Sequence, residues 1–334
     1  MKLIKQREAN NLLGNLCISL FLLTYSVASQ AVPLSASEQL QKVSKQLIAS
    51  GIYTEEQLRV LIEPLTIDKK ILALMDRQAE GKPWYKYRDI FVRPDRINSG
   101  VNFMRTHAPT LARAQVEYGV PPHIISALIG VETFYGTRMG SRSVLRSLVT
   151  LTAAYPRRAK FFGKELSKFL TIVKTERLVP NDVEGSYAGA IGIPQFMPSS
   201  YEAYAVDFND NGKRDLVNEV DDAIGSVANY LKIHGWKRDQ PIREWLNQSV
   251  INKMLPILKK KAKPQNTIGQ LKQLGLKLNH ADDTPANLMR LQQETRLKYF
   301  VSFRNFHALT RYNPSNKYAM AIVDLSEEIK KAHN

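Results

Sequence analysis

Cysteine is almost missing from this chain. Of 334 residues only Cys17 carries a thiol, and it lies in an apolar run near the N-terminus. With that run removed no thiol remains, which excludes disulfides, thiolate catalysis and zinc–thiolate sites. Histidine is sparse too. The six residues at 107, 123, 234, 280, 307 and 333 show no HExxH or other ligand spacing, so a zinc hydrolase does not fit. The glycines at 185, 189 and 192 are not followed by Lys-Ser or Lys-Thr, so they make no phosphate-binding loop. The apolar run itself, Leu16 to Leu23, is short for a membrane span. There is no internal repeat and no low-complexity tract.

What the chain does have is apolar bulk and positive charge. Hydrophobic residues make up 44% of it, enough for a substantial core in a chain of this size, which usually divides into two or more lobes. The net charge of +16 calls for an acidic partner: nucleic acid, anionic lipid and anionic cell-wall polymer all fit. The N-terminus narrows that choice. Lys2, Lys5 and Arg7 precede the apolar run, and small residues follow from Ser26 to Ala31. That is the order of a secretory signal peptide, expected to span residues 1–31 with cleavage after Ala28 or Ala31. An uncleaved anchor is the competing reading. Leu16 is not the small residue expected before a lipid-modified cysteine, so an exported, soluble, periplasmic protein is expected, with association to the envelope left open. An exported basic protein rarely meets nucleic acid, and no nucleic-acid reading motif is present.

Helical spacing dominates the rest. Leu40, Val43 and Leu47, then Leu58, Leu61 and Ile62, then Ile71, Leu74 and Met75 mark short helices separated by Gly51, Pro64 and Gly81 to Pro83. Further helices are expected over 99–118, from Pro121 onward, over 142–178 with Pro156 as a break or first-turn residue, and over 219–234. The stretch 185–198 reads as a loop, and Ser199 with Glu202 has the form of a helix capping box. Residues 240–306 are more Lys-rich and partly alternating, as in a small β-containing lobe; about 317–331 is helical again. The fold class is mainly α (α+β).

Four stretches carry candidate chemistry. In "IGVETFYG", Glu132 falls on the apolar stripe set by Ile124, Ile125, Leu128 and Ile129. Desolvation there would raise its pKa, as a general acid for glycosidic cleavage requires. On spacing alone, an acid satisfied by a neighbour or a helix end returning to solvent is the commoner outcome. The loop from Gly185 to Tyr201 offers Ser186, Tyr187, Gln195 and Phe196, a mixture of hydrogen bonds and aromatic faces suited to a sugar, with tight packing on the core as the alternative. In "YPRRAKFF", Arg157 and Arg158 could hold a carboxylate, although a solvated face is the default. "DFNDNGKRD" matches the first half of a calcium loop: Asp207, Asn209 and Asn211 stand at positions one, three and five, Gly212 makes the turn and Asp215 stands at nine, while Lys213 and Arg214 add positive charge. Position twelve is Asn218 rather than Glu, so Asp221 or Asp222 would have to supply the missing acid, and a metal-free Asx-turn loop competes.

Together the strings "YGVPPHIISALIGVETFYG", "YPRRAKFF", "GSYAGAIGIPQFMPSSYEAYAVDF", "DDAIGSVANYLKIHGW" and "TRYNPSNKYAMAI" resemble the lytic murein transglycosylase B family of bacterial cell-wall enzymes. They run in family order from about residue 84 to 322, with 237–300 the weakest part. The resemblance implies a lysozyme-like core (113–236 with 307–318), a helical lobe (36–112 joined by a C-terminal helix 319–334) and a small β-containing lobe (237–306). It implies cleavage between N-acetylmuramic acid and N-acetylglucosamine of peptidoglycan, with 1,6-anhydromuramoyl ends. Glu132 would be the single catalytic acid, and Tyr87, Arg157, Arg158, Ser186, Gln195, Phe196, Tyr230, Tyr312, Asn313 and Tyr318 would surround the sugars. Phe161 stands where the family often has Tyr, which removes a hydroxyl. The loop at 207–222 is one residue longer than the family pattern; Asp207, Asn209, Asn211, Lys213 and Asp222 are its candidate ligands for a weak Ca2+ or Na+. The chemistry needs no cofactor. Peptidoglycan strands are the expected partner, with other cell-wall enzymes as further candidates, nucleic acid excluded, and the chain a monomer. A lysozyme-type hydrolase using Asp182 or Glu184, or a binding scaffold without turnover, are the alternatives.

Overall fold

The computed structural model describes residues 34, 37–76, 82–246 and 252–334; the expected signal peptide lies outside them. Three short helices come first, α1 (Glu38–Ala49), α2 (Glu55–Ile62) and α3 (Lys69–Met75). Each starts at an oxygen-bearing side chain: Ser37 accepts from the amide of Leu40, Thr54 forms a capping box with Gln57, and Asp68 accepts from the amides of Lys70 and Ile71. Next come α4 (Trp84–Phe91), α5 (Pro94–Thr106), α6 (Ala108–Tyr118) and α7 (Pro122–Thr133). The last three carry Pro in the first turn, where its missing N–H would have had no helical partner anyway.

Helix α7 is the centre of the molecule. The spacing predicts a helix with one apolar stripe, but every residue from Ile124 to Val131 is buried. It is enclosed by α5, α6, α11 (Val220–Ile233) and α14 (Asn316–His333), as a helix apolar on all sides must be. Each buried Ile or Leu on it contributes roughly 1.5–3 kcal/mol of transfer free energy.

Helices α8 (Val144–Ala154), α9 (Ala159–Thr175) and α10 (Pro198–Tyr204) pack alongside, with Pro156 opening a 3-10 turn between the first two. The capping box expected at Ser199 and Glu202 does not form. Pro198 already occupies the first turn of α10, and Glu165 of α9, 3% exposed, accepts the Ser199 amide at 2.8 Å and its hydroxyl at 2.7 Å. The orphan amide is thus satisfied from a neighbouring helix, which also ties the two helices together. Glu202 instead pairs outward with Lys168 at 2.6 Å.

The β character expected after residue 240 is present as a four-stranded antiparallel sheet. It is built from β3 (Arg243–Trp245), β4 (Asn266–Thr267), β5 (Pro285–Gln292) and β6 (Leu297–Phe303) in the order β3-β6-β5-β4; a two-residue ladder, β1 (Arg142–Ser143) with β2 (Glu184–Gly185), lies elsewhere. The period of two sorts the side chains of β5. Ala286 and Leu288 join a small separate cluster with Val301, Phe303 and residues of α12 (Ile268–Gln273), whereas Met289 and Leu291 join the main core. Helices α13 (Arg304–Tyr312) and α14 then return the chain to α7, which is what brings residues past 310 to the end of that helix.

Candidate active site

Glu132 is the next-to-last residue of α7. It keeps part of its surface open to solvent, yet protein surrounds the carboxyl closely enough that burial pushes its pKa from the ordinary 4.5 up to about 7. The hydroxyl of Tyr318 on α14 donates to Oε1 and pulls the other way, but burial wins. No neighbouring carboxylate contributes to the shift. The phenols of Tyr312 and Tyr318 are held well above their usual range, first by burial and then by the charge of Glu132. Both therefore stay O–H donors at any working pH.

The turn after Glu132 is strained and clamped. Phe134 (φ 50°) and Tyr135 (φ 60°) both adopt left-handed backbone, which costs bulky residues on the order of 1–3 kcal/mol each. The Tyr135 hydroxyl donates to the Arg96 carbonyl at 2.8 Å, and a Cβ on Gly130 would come within 2.6 Å of the Tyr135 ring, so only glycine fits there. The Arg96 guanidinium lies 5.2 Å from both the Phe91 and Phe134 ring centres. Thr133 donates its hydroxyl to the Ile193 carbonyl at 2.8 Å and accepts the Gly136 amide at 3.0 Å. Arg96, Thr133 and Tyr135 were not singled out from the sequence, although two aromatics followed by glycine in "TFYG" is a turn signal.

The glycine-rich loop meets Glu132 through that threonine. Gln195 (φ 52°) donates to the carbonyls of Met139 at 2.9 Å and Gly192 at 3.0 Å, so its amide braces the loop. A Cβ on Gly192 would sit 2.3 Å from the Leu216 carbonyl oxygen, a close approach only glycine allows. Ser186 accepts the amides of Ala188 and Ala190 and shapes the loop's neck. Tyr312 donates to the Pro194 carbonyl. Phe196 is 1% exposed, its ring 5.6 Å from Tyr230 and 5.8 Å from Tyr312, so it stands inside the wall rather than on its surface. Tyr230 donates to the Arg311 carbonyl at 2.6 Å and stacks on His234. Tyr87 is buried between Trp84 and Phe91, near enough to Tyr318 to affect its charge.

The structure thus joins Glu132, Tyr318, Tyr312, Phe196 and Tyr230 into one cluster, with Tyr87 near Tyr318 and Gln195 in the loop that Tyr312 bonds. Ser186 and Asn313 border it in the chain. Arg157 and Arg158 are not bonded to it: both are exposed, and Arg158 lies over the Phe161 ring at 4.2 Å. Asp182 and Glu184 are exposed, and the hydrogen-bond partner of the Glu132 carboxyl is Tyr318.

In the loop from Asp207, side-chain oxygens fold over backbone amides. Asp207 accepts from Asn211 and Gly212, Asn209 from Asn211, and Asn211 from Lys213. Asp222 spends both oxygens on amides, those of Phe208 (2.7 Å) and Asp215 (2.8 Å), while Glu219 faces Asn209 at 3.1 Å. The donor set is all oxygen, which suits a hard cation, and Glu219 is the carboxylate turned toward the asparagine. Among the described residues no group of three or more His, Cys, Asp and Glu could hold a metal ion.

Residues 35–327 match the family described as transglycosylase SLT domain. The membrane-bound lytic murein transglycosylase B of Escherichia coli (strain K12) is 39% identical over 304 residues, 87% of this chain and 82% of that protein. The crystal structure of soluble lytic transglycosylase SltB1 from Pseudomonas aeruginosa superposes with a TM-score of 0.83 at 40% identity, over 88% of this chain and 99% of that one. Escherichia coli lytic transglycosylase Slt35 in complex with calcium gives 0.82 at 37% identity, over 90% and 95%.

Proposed function

The chain belongs to the transglycosylase SLT domain family and is a lytic transglycosylase of lysozyme-like fold acting on peptidoglycan, in which, we propose, Glu132 is the single acid–base group. The protonated carboxyl of Glu132 gives its proton to the glycosidic oxygen as the bond from muramoyl C1 to the N-acetylglucosamine O4 breaks. The carboxylate then takes the proton of the muramoyl 6-hydroxyl as O6 bonds to C1. The products are a free 4-hydroxyl and a 1,6-anhydro ring, and no water is consumed. One group serves as acid and then base, so its pKa should lie near the working pH. The observation that carries the assignment is the carboxyl of Glu132, raised to about 7 by burial and held by Tyr318, with no second acid among the described residues contributing to the shift. A two-carboxylate hydrolase would need a partner acid within about 10 Å. Neither Asp182 nor Glu184 figures among the groups that shift the Glu132 pKa.

Tyr318 is better read as the residue that orients Glu132 than as a direct sugar contact. Tyr87, Arg157, Arg158, Ser186, Gln195, Tyr230, Tyr312 and Asn313 remain proposed lining of the cleft, with Phe196 supporting it from behind. The three-lobe division belongs to the same proposal, as do export to the periplasm and a monomeric state. Among the described residues no helix is long and apolar enough to cross a membrane. The loop at Asp207, Asn209, Asn211 and the Lys213 carbonyl would take a weak Ca2+, with Glu219 in the late position in preference to Asp222. A melting temperature equal in calcium and in chelator would remove that site.

Purified sacculi digested with the protein should release muropeptides of anhydro mass. Reducing ends in their place would turn the reading to a hydrolase. A Glu132→Gln variant that clears murein as fast as the parent would leave a binding scaffold.

A further inference from the structure

The sheet unit carries charge that the proposed chemistry does not use. Ahead of β4 the chain runs Lys259-Lys260-Lys261-Ala262-Lys263. This stretch is pinned along its backbone. Ala262 is 3% exposed and sits in the main core. Asn287 on β5, fully buried, donates to the carbonyls of Lys261 (3.3 Å) and Lys263 (2.7 Å) and accepts the Gln265 amide at 2.9 Å. The Lys259 amide bonds the Leu288 carbonyl at 3.0 Å. Lys260, Lys261 and Lys263 are exposed, and among the described residues no ion pair engages any of the four lysines.

The stretch also borders the cleft. Asn316, in the first turn of α14, donates to the Lys260 carbonyl at 2.7 Å, and two residues further on Tyr318 holds Glu132. Arg304 and Arg311 of α13 are exposed too; they and Lys263 lie close enough to His307 that all three bear on it and, after burial, hold its pKa down. Like charges fixed together without counter-ions repel, and an external anion relieves that repulsion.

We infer that this basic edge, Lys259 to Lys263 with Arg304 and Arg311, binds the free carboxylates of the peptide stems on a murein strand whose glycan lies at Glu132. The inference rests on the transglycosylase reading for the strand's position. Its chemistry is that of flexible ammonium groups meeting carboxylates at variable reach. The sugars are gripped by the cleft; the charge lies on the peptides.

The test uses soluble peptide-bearing glycan chains and the same chains with their carboxylates converted to amides. Binding is read by fluorescence anisotropy and turnover by muropeptide release, for the parent and for a variant with Lys259, Lys260, Lys261 and Lys263 each changed to Gln. The parent should bind native chains about 10-fold tighter than amidated ones, on the order of twofold per exposed lysine–carboxylate pair. The variant should lose most of that preference, keeping only what Arg304 and Arg311 supply, with kcat unchanged. A parent without preference, or a variant that keeps it, overturns the inference. So does a variant that keeps it but loses binding to phosphatidylglycerol vesicles, which would assign the edge to a lipid surface. Should the variant not fold, the preference of the parent and its loss in high salt decide the matter. Absence of turnover on both chains would sink the enzymatic reading instead, since binding is measured independently.

Discussion

Two of the carboxyl groups on the helices of this protein behave as opposites. Glu132 ends α7 and Asp222 lies in the first turn of α11; burial raises the pKa of both. Asp222 is wholly enclosed and gives each oxygen to a backbone amide, from Phe208 and from Asp215, so it fastens the two shoulders of a loop. Glu132 has one phenol on one oxygen and retains a path to solvent. A buried acid is therefore no signature of function by itself. What matters is whether its partners are fixed backbone donors or leave an oxygen free to exchange a proton.

The contrast can be broken most directly by removing each charge. Glu132→Gln should lower anhydromuropeptide release by about 1,000-fold or more, the range for losing a general acid–base group. Asp222→Asn should leave turnover per folded molecule within about twofold. Equal losses in the two variants would end the distinction.

The next largest effect is on stability, and it has a sign. Between pH 4.5 and about 7 the folded chain holds the Glu132 proton that the unfolded chain releases, so stability is full below that window and falls as pH rises through it. The fall amounts to about 3 kcal/mol at 1.36 kcal/mol per pKa unit. Urea melts at pH 5 and pH 8 should show it in the parent and much less of it in Glu132→Gln, which should be the more stable protein at pH 8. Asp222→Asn should lose about 2 kcal/mol at either pH, because an amide N–H would then face a backbone N–H.

The smallest effect sharpens the role of the phenol. Tyr318→Phe removes the bond that favours the charged carboxylate, so the fall of kcat/KM with rising pH should move to higher pH, with a rate loss of only several-fold. An unmoved pH profile would assign Tyr318 to sugar binding.

Much of the architecture is legible from spacing, because the helices bury regular faces and start at Ser, Thr, Asp or Pro. Glu132 stands out as an acid in an otherwise apolar run. Its true setting does not, because Tyr318 is 186 residues away and only the return of α13 and α14 brings it there. The failed cap at Ser199 has the same origin: Glu165, 34 residues earlier, outcompetes the local Glu202. Composition also cannot separate a ring that faces a cleft from one that backs it. Composition leaves Phe196 open between sugar contact and core packing, and the structure buries it, as it does Tyr87, which only the family resemblance points to. Arg157 and Arg158, for which a solvated face is the default reading, are exposed, and Arg158 lies over Phe161.

The bond from Thr133 to the Ile193 carbonyl has one more consequence. The loop it holds, with Tyr312 on Pro194, is tied to the residue that follows Glu132, and we expect it to help keep water from that carboxyl. Since desolvation rather than a charged partner sets that pKa, a small molecule that wedged the loop away would hydrate the carboxyl and let it drop back toward 4.5. At neutral pH the acid would then be without its proton, and the enzyme would be inhibited by a compound that never touches the acid.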